Sequence, residues 1–199
     1  MEYPRSILRL IENLKKLPGV GEKSAERYAF SILELDKDEV EDFSSSLIDA
    51  KTKIKNCPIC NNITEDVKCY ICSDNTRDTK TICVVENTKN VISFEKLSIY
   101  NGLYFVLDGL ISPLDGIGPE DINIDKLISR IKKEEIKEVI LAIKPSIEGE
   151  TTLLYIQKLL EGMDVLVTRI AHGIPLDADI EYIDSLTLEM ALQDRKEIS

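Results

Sequence analysis

Two CxxC pairs constrain this chain more than any other feature of its sequence. Cys57 and Cys60 form the first pair, Cys69 and Cys72 form the second, and eight residues separate the pairs. Each pair can supply two ligands to one ion, so the four thiolates complete a tetrahedral zinc shell without an open position for water. The site is therefore predicted to be structural, and to stabilise residues 56–80, which have little apolar periodicity. Two redox dithiols and an iron–sulfur cluster are the alternatives, and the paired spacing favours zinc.

The remaining cysteine and the N-terminal sequence indicate the cellular compartment. Cys83 lies inside the apolar run TICVVE and is predicted to be a buried core thiol. The sequence MEYPRSILRL has a helical rhythm interrupted by charges, unlike the apolar centre of a secretory signal. No segment approaches the ~20 uninterrupted apolar residues that a membrane helix requires. We therefore expect a cytoplasmic protein, in which cysteines stay reduced or bind metal.

The charge of the chain is unevenly distributed. The 199 residues carry a formal net charge of −11, which taken whole should repel nucleic acid and anionic membranes. Residues 1–30 and 51–80 are each +2, whereas residues 31–50 are −6 and residues 81–199 are −9. This asymmetry suggests two parts with different partners, although a charge of +2 is also ordinary for a solvated surface.

Helical apolar spacing dominates the first 55 residues. One amphipathic helix is predicted from Pro4 to about Leu17, and a second helix runs through residues 25–33. A third helix covers about residues 37–55. Its apolar side chains are expected to face inward, and they are Val40, Phe43, Leu47, Ile48 and Ile54.

The turn LPGVG between the first two helices has the form of a helix–hairpin–helix motif. Gly19 and Gly21 let the backbone turn tightly, so that amides at the start of the second helix can face a phosphate. Lys23 and Arg27 lie four residues apart on one helix face and could contact the same DNA backbone, independently of base sequence. A plain pair of antiparallel helices with solvated Lys23 and Arg27 explains the motif equally well.

From Thr81 onward, the sequence alternates between short β-rich runs and helical patterns. The β-rich runs are 82–85, 103–107, 139–143 and 165–170. The helical patterns lie around 90–99, 124–133 and 150–161, and a last one covers 185–195. This alternation predicts an α/β unit with a largely parallel sheet. The Gly- and Pro-rich segment 108–119 is predicted to be an ordered surface loop.

Three carboxylates are predicted near the C-terminal edge of this sheet, where sites form in α/β proteins. Glu86 ends the first strand, and Glu148 and Glu150 follow the strand VILAI. They could bind Mg²⁺ for phosphoryl chemistry. They could equally form an acidic docking surface for a basic partner, or begin a helix favourably.

The single histidine, His172, follows the last β-rich run. A general base in a hydrolytic site needs a nucleophile or a second titratable group within reach. The sequence offers no second histidine and no identifiable Ser or Cys partner, so a general-base role for His172 has little support.

Six motifs in a fixed order carry a family resemblance over essentially the whole chain. They are PRSILRLIENLKKLPGVGEKSAERYAF, CPICNNITEDVKCYICSD, TICVVE, GLYFVLDGLISPLDGIGP, IEGETTLLYI and VTRIAHGIPLDADIEYIDSLTLEMAL. Together they closely resemble the RecR family of bacterial recombination mediators. The resemblance implies a multidomain α/β protein with four parts. These parts are a helix–hairpin–helix region at 1–55, a four-cysteine zinc finger at 56–78, a Toprim α/β domain at 79–176 and a C-terminal helical oligomerisation segment at 177–199.

The resemblance also implies a non-catalytic role in DNA repair and recombination. Members of this family form ring-shaped homotetramers able to encircle DNA. With RecO or RecF they help to load RecA onto single-stranded DNA covered by single-strand-binding protein. By position, Lys23 and Arg27 match the family's basic residues that face the ring interior, where single- and double-stranded DNA is bound independently of sequence. Gly19 and Gly21 of the turn belong to the same predicted DNA-binding site. The resemblance also implies a cytoplasmic protein associated with the nucleoid. It assigns one structural Zn²⁺ per chain to Cys57, Cys60, Cys69 and Cys72, and RecO docking to Glu86, Glu148 and Glu150.

The chain departs from the family pattern at several positions. Toprim enzymes place a DxD pair after a later strand, whereas this chain has Ile143-Lys144-Pro145, and Lys144 would oppose a cation there. A metal site for strand cleavage or primer synthesis is therefore incomplete, and a Mg²⁺-dependent Toprim nuclease or primase is the alternative function. Phe105 stands where the family usually has histidine, and Asp108 and Asp177 stand where glycine is common.

Overall fold

The computed structural model describes residues 3–171, 173–174 and 177–195. The chain divides into two compact units, the first up to Ile54 and the second from Lys55 onward. His172 lies outside the described residues, so the interpretation that it is no general base stays a prediction. Among the described helices, none has the length and apolar character that crossing a membrane requires.

The first unit consists of three helices, α1 (Arg5–Leu14), α2 (Glu22–Glu34) and α3 (Lys37–Lys53). Helix α1 begins directly after Pro4, whose fixed φ suits a helix start. Ile11 of α1 packs against Ala25 and Ala29 of α2, and these three side chains are the buried core of the unit. The small alanine side chains let the two helices approach closely.

Helix α3 has a well-defined start but no buried side chain. Asp36 and Glu39 form a complete capping box, in which each side chain accepts a hydrogen bond from the other residue's backbone N–H. The prediction that its apolar residues face inward is wrong within its own unit, because Phe43, Leu47 and Ile48 are 47%, 59% and 62% exposed. An amphipathic pattern identifies an apolar stripe but not the surface that covers it.

The second unit begins with three short elements around the cysteines. Strand β1 (Lys55–Asn56) pairs antiparallel with β2 (Ile63–Thr64), and α4 (Tyr70–Ser73) follows them. The first CxxC pair lies between the two strands and the second pair lies at the start of α4. These elements are too short to form a core of their own, so the segment depends on what the cysteines hold.

The main part of the second unit is a parallel sheet. Its strands are β3 (Asp78–Val85), β4 (Gly102–Val106), β5 (Glu138–Ala142) and β6 (Leu166–Arg169). Three helices make the crossovers that parallel strands need, and they are α5 (Thr88–Leu97), α6 (Ile124–Glu134) and α7 (Ile147–Leu160). The strand order is β4-β3-β5-β6, and all three pairings are parallel. The alternating pattern therefore predicted this sheet correctly.

The core of this unit is centred on the second half of β3 and the whole of β4, which are buried throughout. Helices α6 and α7 cover the sheet with Leu127, Ile131 and Ile156. Cys83 is 2% exposed, which confirms the predicted core thiol, and burial raises its pKa to about 12. This thiol is therefore neutral and inert near neutral pH.

Helix α8 (Ser185–Gln193) is the last helix of the described chain. The Asp184 side chain caps it by accepting a hydrogen bond from the Thr187 backbone N–H at 3.0 Å. An aspartate at this position satisfies one of the free amides of the first turn. The helix predicted for 185–195 is therefore confirmed over 185–193.

The segment 108–119 is tied to the sheet and to α7. The Ile111 backbone N–H donates to Thr152 Oγ1 at 2.9 Å, and Ser112 and Ile117 exchange backbone hydrogen bonds. Asp108 and Asp177 both have φ of +63°, in the left-handed region that glycine enters at least cost. The resemblance identified both positions as ones where glycine is common, and this backbone conformation is the physical reason.

Candidate functional site

The four cysteines of the CxxC pairs come together in the second unit. Their Sγ atoms all lie within 4.8 Å of one another, and Cys60 Sγ is 3.4 Å from Cys69 Sγ. A tetrahedral shell with Zn–S distances of about 2.3 Å has sulfur–sulfur edges of about 3.8 Å, so the observed cluster fits a zinc ion. Cys57, Cys60 and Cys69 are buried and Cys72 is half-buried. A closed, largely buried thiolate shell is the arrangement of a structural site.

Hydrogen bonds connect these sulfurs to one another and to the backbone. The Cys69 backbone N–H donates to Cys57 Sγ at 3.4 Å. Hydrogen bonding to Cys69 raises the pKa of the Cys60 thiol, and the same contact lowers the pKa of Cys69. Thiols this close share protons, and a divalent cation is what allows all four to be deprotonated together.

The first cysteine pair is also anchored to the sheet. The Val106 backbone N–H, at the end of β4, donates to the Cys60 carbonyl at 2.9 Å. Asn61 forms a second hydrogen bond with the same residue, because its side-chain Nδ2 donates to the Val106 carbonyl at 3.0 Å. The cysteines belong to the same apolar core as β3 and β4. Zinc binding is therefore coupled to the packing of the parallel sheet.

The hairpin of the first unit has the turn that its sequence predicts. The Val20 backbone N–H donates to the Leu17 carbonyl at 3.1 Å, and Gly19 has φ of +81°. Proline before a glycine with positive φ is the signature of a type II turn. Gly21 is the N-cap of α2 and offers no side-chain cap, so backbone amides of the first turn of α2 are left for an external acceptor.

Two cations near this turn lie on α2. Lys15 is neutralised by Glu12 and Glu22 at 3.0 and 2.7 Å. Lys23 and Arg27 are exposed, and within the described residues neither forms an ion pair. The Arg27 guanidinium lies 5.2 Å from the ring centre of its neighbour Tyr28, which leaves its charge available to an anion. Two uncompensated cations on one helix face suit a phosphate track.

The carboxyl edge of the sheet holds Glu86 together with a lysine. Glu86 follows β3, and its Oε1 lies 3.5 Å from Lys144 Nζ, which follows β5. Both side chains line a cleft of about 290 Å³ with Asn90 and Ile143 among its other walls. The ammonium group therefore occupies the neighbourhood in which a cation would have to bind Glu86.

The other two glutamates lie in the first turn of α7. The Ser146 side chain caps this helix by accepting from the Gly149 backbone N–H at 3.1 Å. A hydrogen bond to its own backbone N–H, with a further one from Ser146, lowers the pKa of Glu148. Glu150 Oε1 lies 3.6 Å from Arg169 Nη1, at the end of β6. Within the described residues, the close groups of metal-ligating side chains include the four cysteines and not these glutamates.

Gly149, between the two glutamates, lies where there is no space for a side chain. A Cβ at this position would overlap the Lys144 carbonyl oxygen and would lie 3.3 Å from Ile143 Cγ2. The start of α7 therefore packs directly on the backbone that carries Lys144. Sequence reasoning did not identify this contact, because the two segments meet only in the folded sheet.

A half-buried ion pair was also missed from sequence. Arg77 forms a bidentate pair with Glu95 of α5, and Tyr104 Oη donates to Glu95 Oε1 at 2.9 Å. Arg77 also donates to the Gly102 carbonyl at 3.1 Å. The network ties the zinc segment to α5 and β4, and no local spacing in the sequence signals it.

Four family models match the chain in consecutive segments. Together the fold and the sites define a Toprim protein with a helix–hairpin–helix and a four-cysteine zinc finger. The matching models are the RecR helix–hairpin–helix over residues 7–51, the RecR four-cysteine zinc finger domain over 54–74, the Toprim domain over 80–171 and the RecR C-terminal model over 173–196. Because three RecR models and the Toprim model follow one another along the chain, the protein belongs to the RecR family.

Family membership settles the broad role and the cofactor. RecR domains are those of a mediator of recombination in DNA repair, and the helix–hairpin–helix supports DNA binding. The zinc-finger match and the close cysteines together give one structural zinc, as the CxxC spacing predicted. The protein is thus a zinc-stabilised DNA-repair protein.

Proposed function

We propose that the protein is a non-catalytic, DNA-binding recombination mediator. Acting with RecO, RecF or both, it helps to load RecA onto single-stranded DNA covered by single-strand-binding protein. The observation that carries the proposal is the α1–α2 hairpin with Lys23 and Arg27 exposed and unpaired among the described residues. We place the protein in the cytoplasm, associated with the nucleoid.

DNA contact is proposed at the backbone of single- and double-stranded DNA. Gly19 and Gly21 shape the turn, the amides at the start of α2 receive a phosphate, and Lys23 and Arg27 flank the neighbouring phosphates. These groups meet phosphate oxygens and no base edges, so binding is independent of sequence and decreases with salt.

A homotetrameric ring is proposed as the working assembly. Its support in this chain is the exposed apolar stripe of α3, in which Phe43, Leu47 and Ile48 have no cover from their own unit. With a charge of only +2 on its first 30 residues, one protomer is expected to bind DNA with low affinity. Several hairpins in one ring add their contacts through multivalency.

RecO docking is proposed at the acidic edge of the Toprim domain. Glu148 supports it best, because its carboxylate forms no ion pair among the described residues. Glu86 and Glu150 have internal partners in Lys144 and Arg169, so a basic partner gains less from them.

Charge reversal at Glu148 tests this docking edge. We expect Glu148→Lys to weaken RecO binding at least tenfold in calorimetric titrations, because it places a cation opposite a basic partner. The control, Glu161→Lys at the C-cap of α7, should leave the affinity unchanged. Equal affinities for both variants would exclude this edge as the docking surface.

The alternative is a Mg²⁺-dependent Toprim nuclease or primase that uses Glu86, Glu148 and Glu150. The Glu86–Lys144 ion pair counts against it, because an ammonium group at this position disfavours a divalent cation nearby. We expect purified protein with Mg²⁺ and labelled single- or double-stranded DNA to yield neither cleavage nor primer products. Activity that disappears in Glu86→Gln would establish the enzyme and overturn the non-catalytic assignment.

We further propose the domain limits that the sequence suggests. They are a helix–hairpin–helix region at 1–55, a zinc finger at 56–78, a Toprim domain at 79–176 and an oligomerisation segment at 177–199. The exposed apolar side chains Ile180, Tyr182 and Leu192 support an interface in the last part.

A further inference from the structure

A cleft of about 390 Å³ lies between the first cysteine pair and one face of α6. Pro58 and Ile59, the residues between Cys57 and Cys60, form one wall. The opposite wall, from α6, consists of Asp125, Lys126, Ser129, Arg130, Lys133 and Glu134. We call this feature the α6 cleft. It lies wholly in the second unit, and the hairpin does not contribute to it.

Arg130 makes the floor of the α6 cleft rigid. Its side chain is 6% exposed, its Nε donates to Glu134 Oε2 at 3.0 Å, and its Nη1 donates to the Tyr104 carbonyl at 2.9 Å. The guanidinium is therefore engaged in holding α6 on the sheet. Because Arg130 and Glu134 neutralise each other, the net charge of the cleft is decided by its other side chains.

The remaining cations of the α6 cleft are uncompensated. Lys126 and Lys133 are exposed, and the described residues provide neither with an ion-pair or hydrogen-bond partner. Ser129 lies between them on the same helix face and can donate its hydroxyl hydrogen. Asp125 is the single opposing carboxylate among these wall residues besides the paired Glu134. In a chain of net charge −11, two free lysines on one cleft are a local reversal of sign.

We propose that the α6 cleft is a second contact site for the phosphodiester backbone of DNA. Lysine binds phosphate as a point charge and a serine hydroxyl donates to its oxygens, which is the donor set found here. Seven residues of helix separate the two lysines by about 10.5 Å, so the two ammonium groups can contact two different phosphates of one strand. The apolar wall at Ile59 suits the sugar side of the backbone. The site rests on the proposed DNA-binding function and adds a contact outside the hairpin.

Charge removal at the α6 cleft tests this site. We expect Lys126→Ala with Lys133→Ala to lower the affinity for fluorescein-labelled oligo(dT) about 25-fold at 0.1 M salt, or about fivefold for each lost contact. The slope of log affinity against log salt should shrink by about 1.4, or 0.7 for each lost contact. Asp125→Asn should act in the opposite direction and tighten binding, because it removes the opposing carboxylate.

A matched control is available on α5. Lys89 and Lys96 are exposed, lie seven residues apart and also lack ion-pair partners among the described residues, so Lys89→Ala with Lys96→Ala removes the same charge at the same spacing. We expect this control to bind like the wild type. Equal affinities and equal salt slopes for the two double variants would overturn the α6 site and leave the proposed function intact. Wild-type protein that binds no DNA would contradict both.

An acidic protein segment is the competing occupant for two free lysines. If the α6 variant binds DNA normally but loses affinity for an acidic partner protein, the cleft is a protein-docking site and the proposal is wrong. Circular dichroism and zinc content, measured on each variant, confirm that both remain folded.

Discussion

Replacing Cys60 with serine is expected to abolish zinc binding and to unfold the zinc segment. Structural zinc contributes about 10–16 kcal/mol of apparent binding free energy in small zinc domains. The Cys60 carbonyl also accepts a hydrogen bond from Val106, so loss of the ion disturbs the end of β4. We expect zinc content near zero and a fall of more than about 4 kcal/mol in the free energy of unfolding of the second unit. Atomic absorption and thermal unfolding measure the two effects.

Cys83→Ala is the matched control for this prediction. Cys83 is buried in the same core but lies outside the cluster, so its substitution removes a thiol without removing a ligand. We expect the control to retain one zinc per chain and to lose only the stability of a small cavity, about 1 kcal/mol. Chelation of zinc from the wild type should reproduce the Cys60→Ser result. Cys60→Ser protein with one zinc per chain and unchanged stability would contradict the structural role of the cluster.

Removing both cations of the hairpin is expected to reduce DNA affinity strongly. Lys23→Ala with Arg27→Ala eliminates two phosphate contacts. Each loss lowers the DNA affinity of one protomer about fivefold at 0.1 M salt, so the two together lower it about 25-fold. In an oligomer, hairpins from several chains contact the same DNA, so the loss of affinity is larger than for one protomer. Fluorescence anisotropy with single- and double-stranded DNA over a salt series measures the affinity and its salt slope.

The control for the hairpin prediction removes two charges from the same unit. Arg5 and Arg9 are exposed on α1, four residues apart and away from the turn in sequence, and Arg5→Ala with Arg9→Ala should bind DNA like the wild type. Sedimentation should give the mass of four chains for the wild type and both variants, which separates binding from assembly. If the two double variants lose affinity equally, net charge and not the hairpin governs binding.

Sequence patterns predicted the elements that depend on local spacing. Apolar periodicity identified the first helices, alternation of β-rich and helical runs identified the parallel sheet, and paired CxxC motifs identified the zinc site. Each of these patterns can be recognised within a short stretch of sequence, a few helical turns or the length of one strand. The net charge of the whole chain was misleading on its own, since Lys23 and Arg27 lie on a helix whose own unit leaves them unpaired among the described residues.

Contacts between distant segments could not be predicted in the same way. The pairs Lys144–Glu86 and Arg77–Glu95 exist because the parallel register brings the ends of strands and the neighbouring helix α5 together. The close packing of Gly149 on the Lys144 carbonyl has the same origin. The exposure of α3 was mispredicted for a related reason, because an apolar stripe does not specify its covering surface. Such features depend on tertiary placement, which one-dimensional periodicity does not encode.

The most direct test of the proposed mediator role is RecA loading on single-stranded DNA covered by single-strand-binding protein. RecA ATP hydrolysis, measured with RecO present, reports the filament that forms. We predict that the wild-type protein stimulates this rate at least tenfold over RecO alone, and that Lys23→Ala with Arg27→Ala removes the stimulation. Wild-type protein that leaves RecA loading unchanged, with RecO or with RecF, would contradict the mediator role.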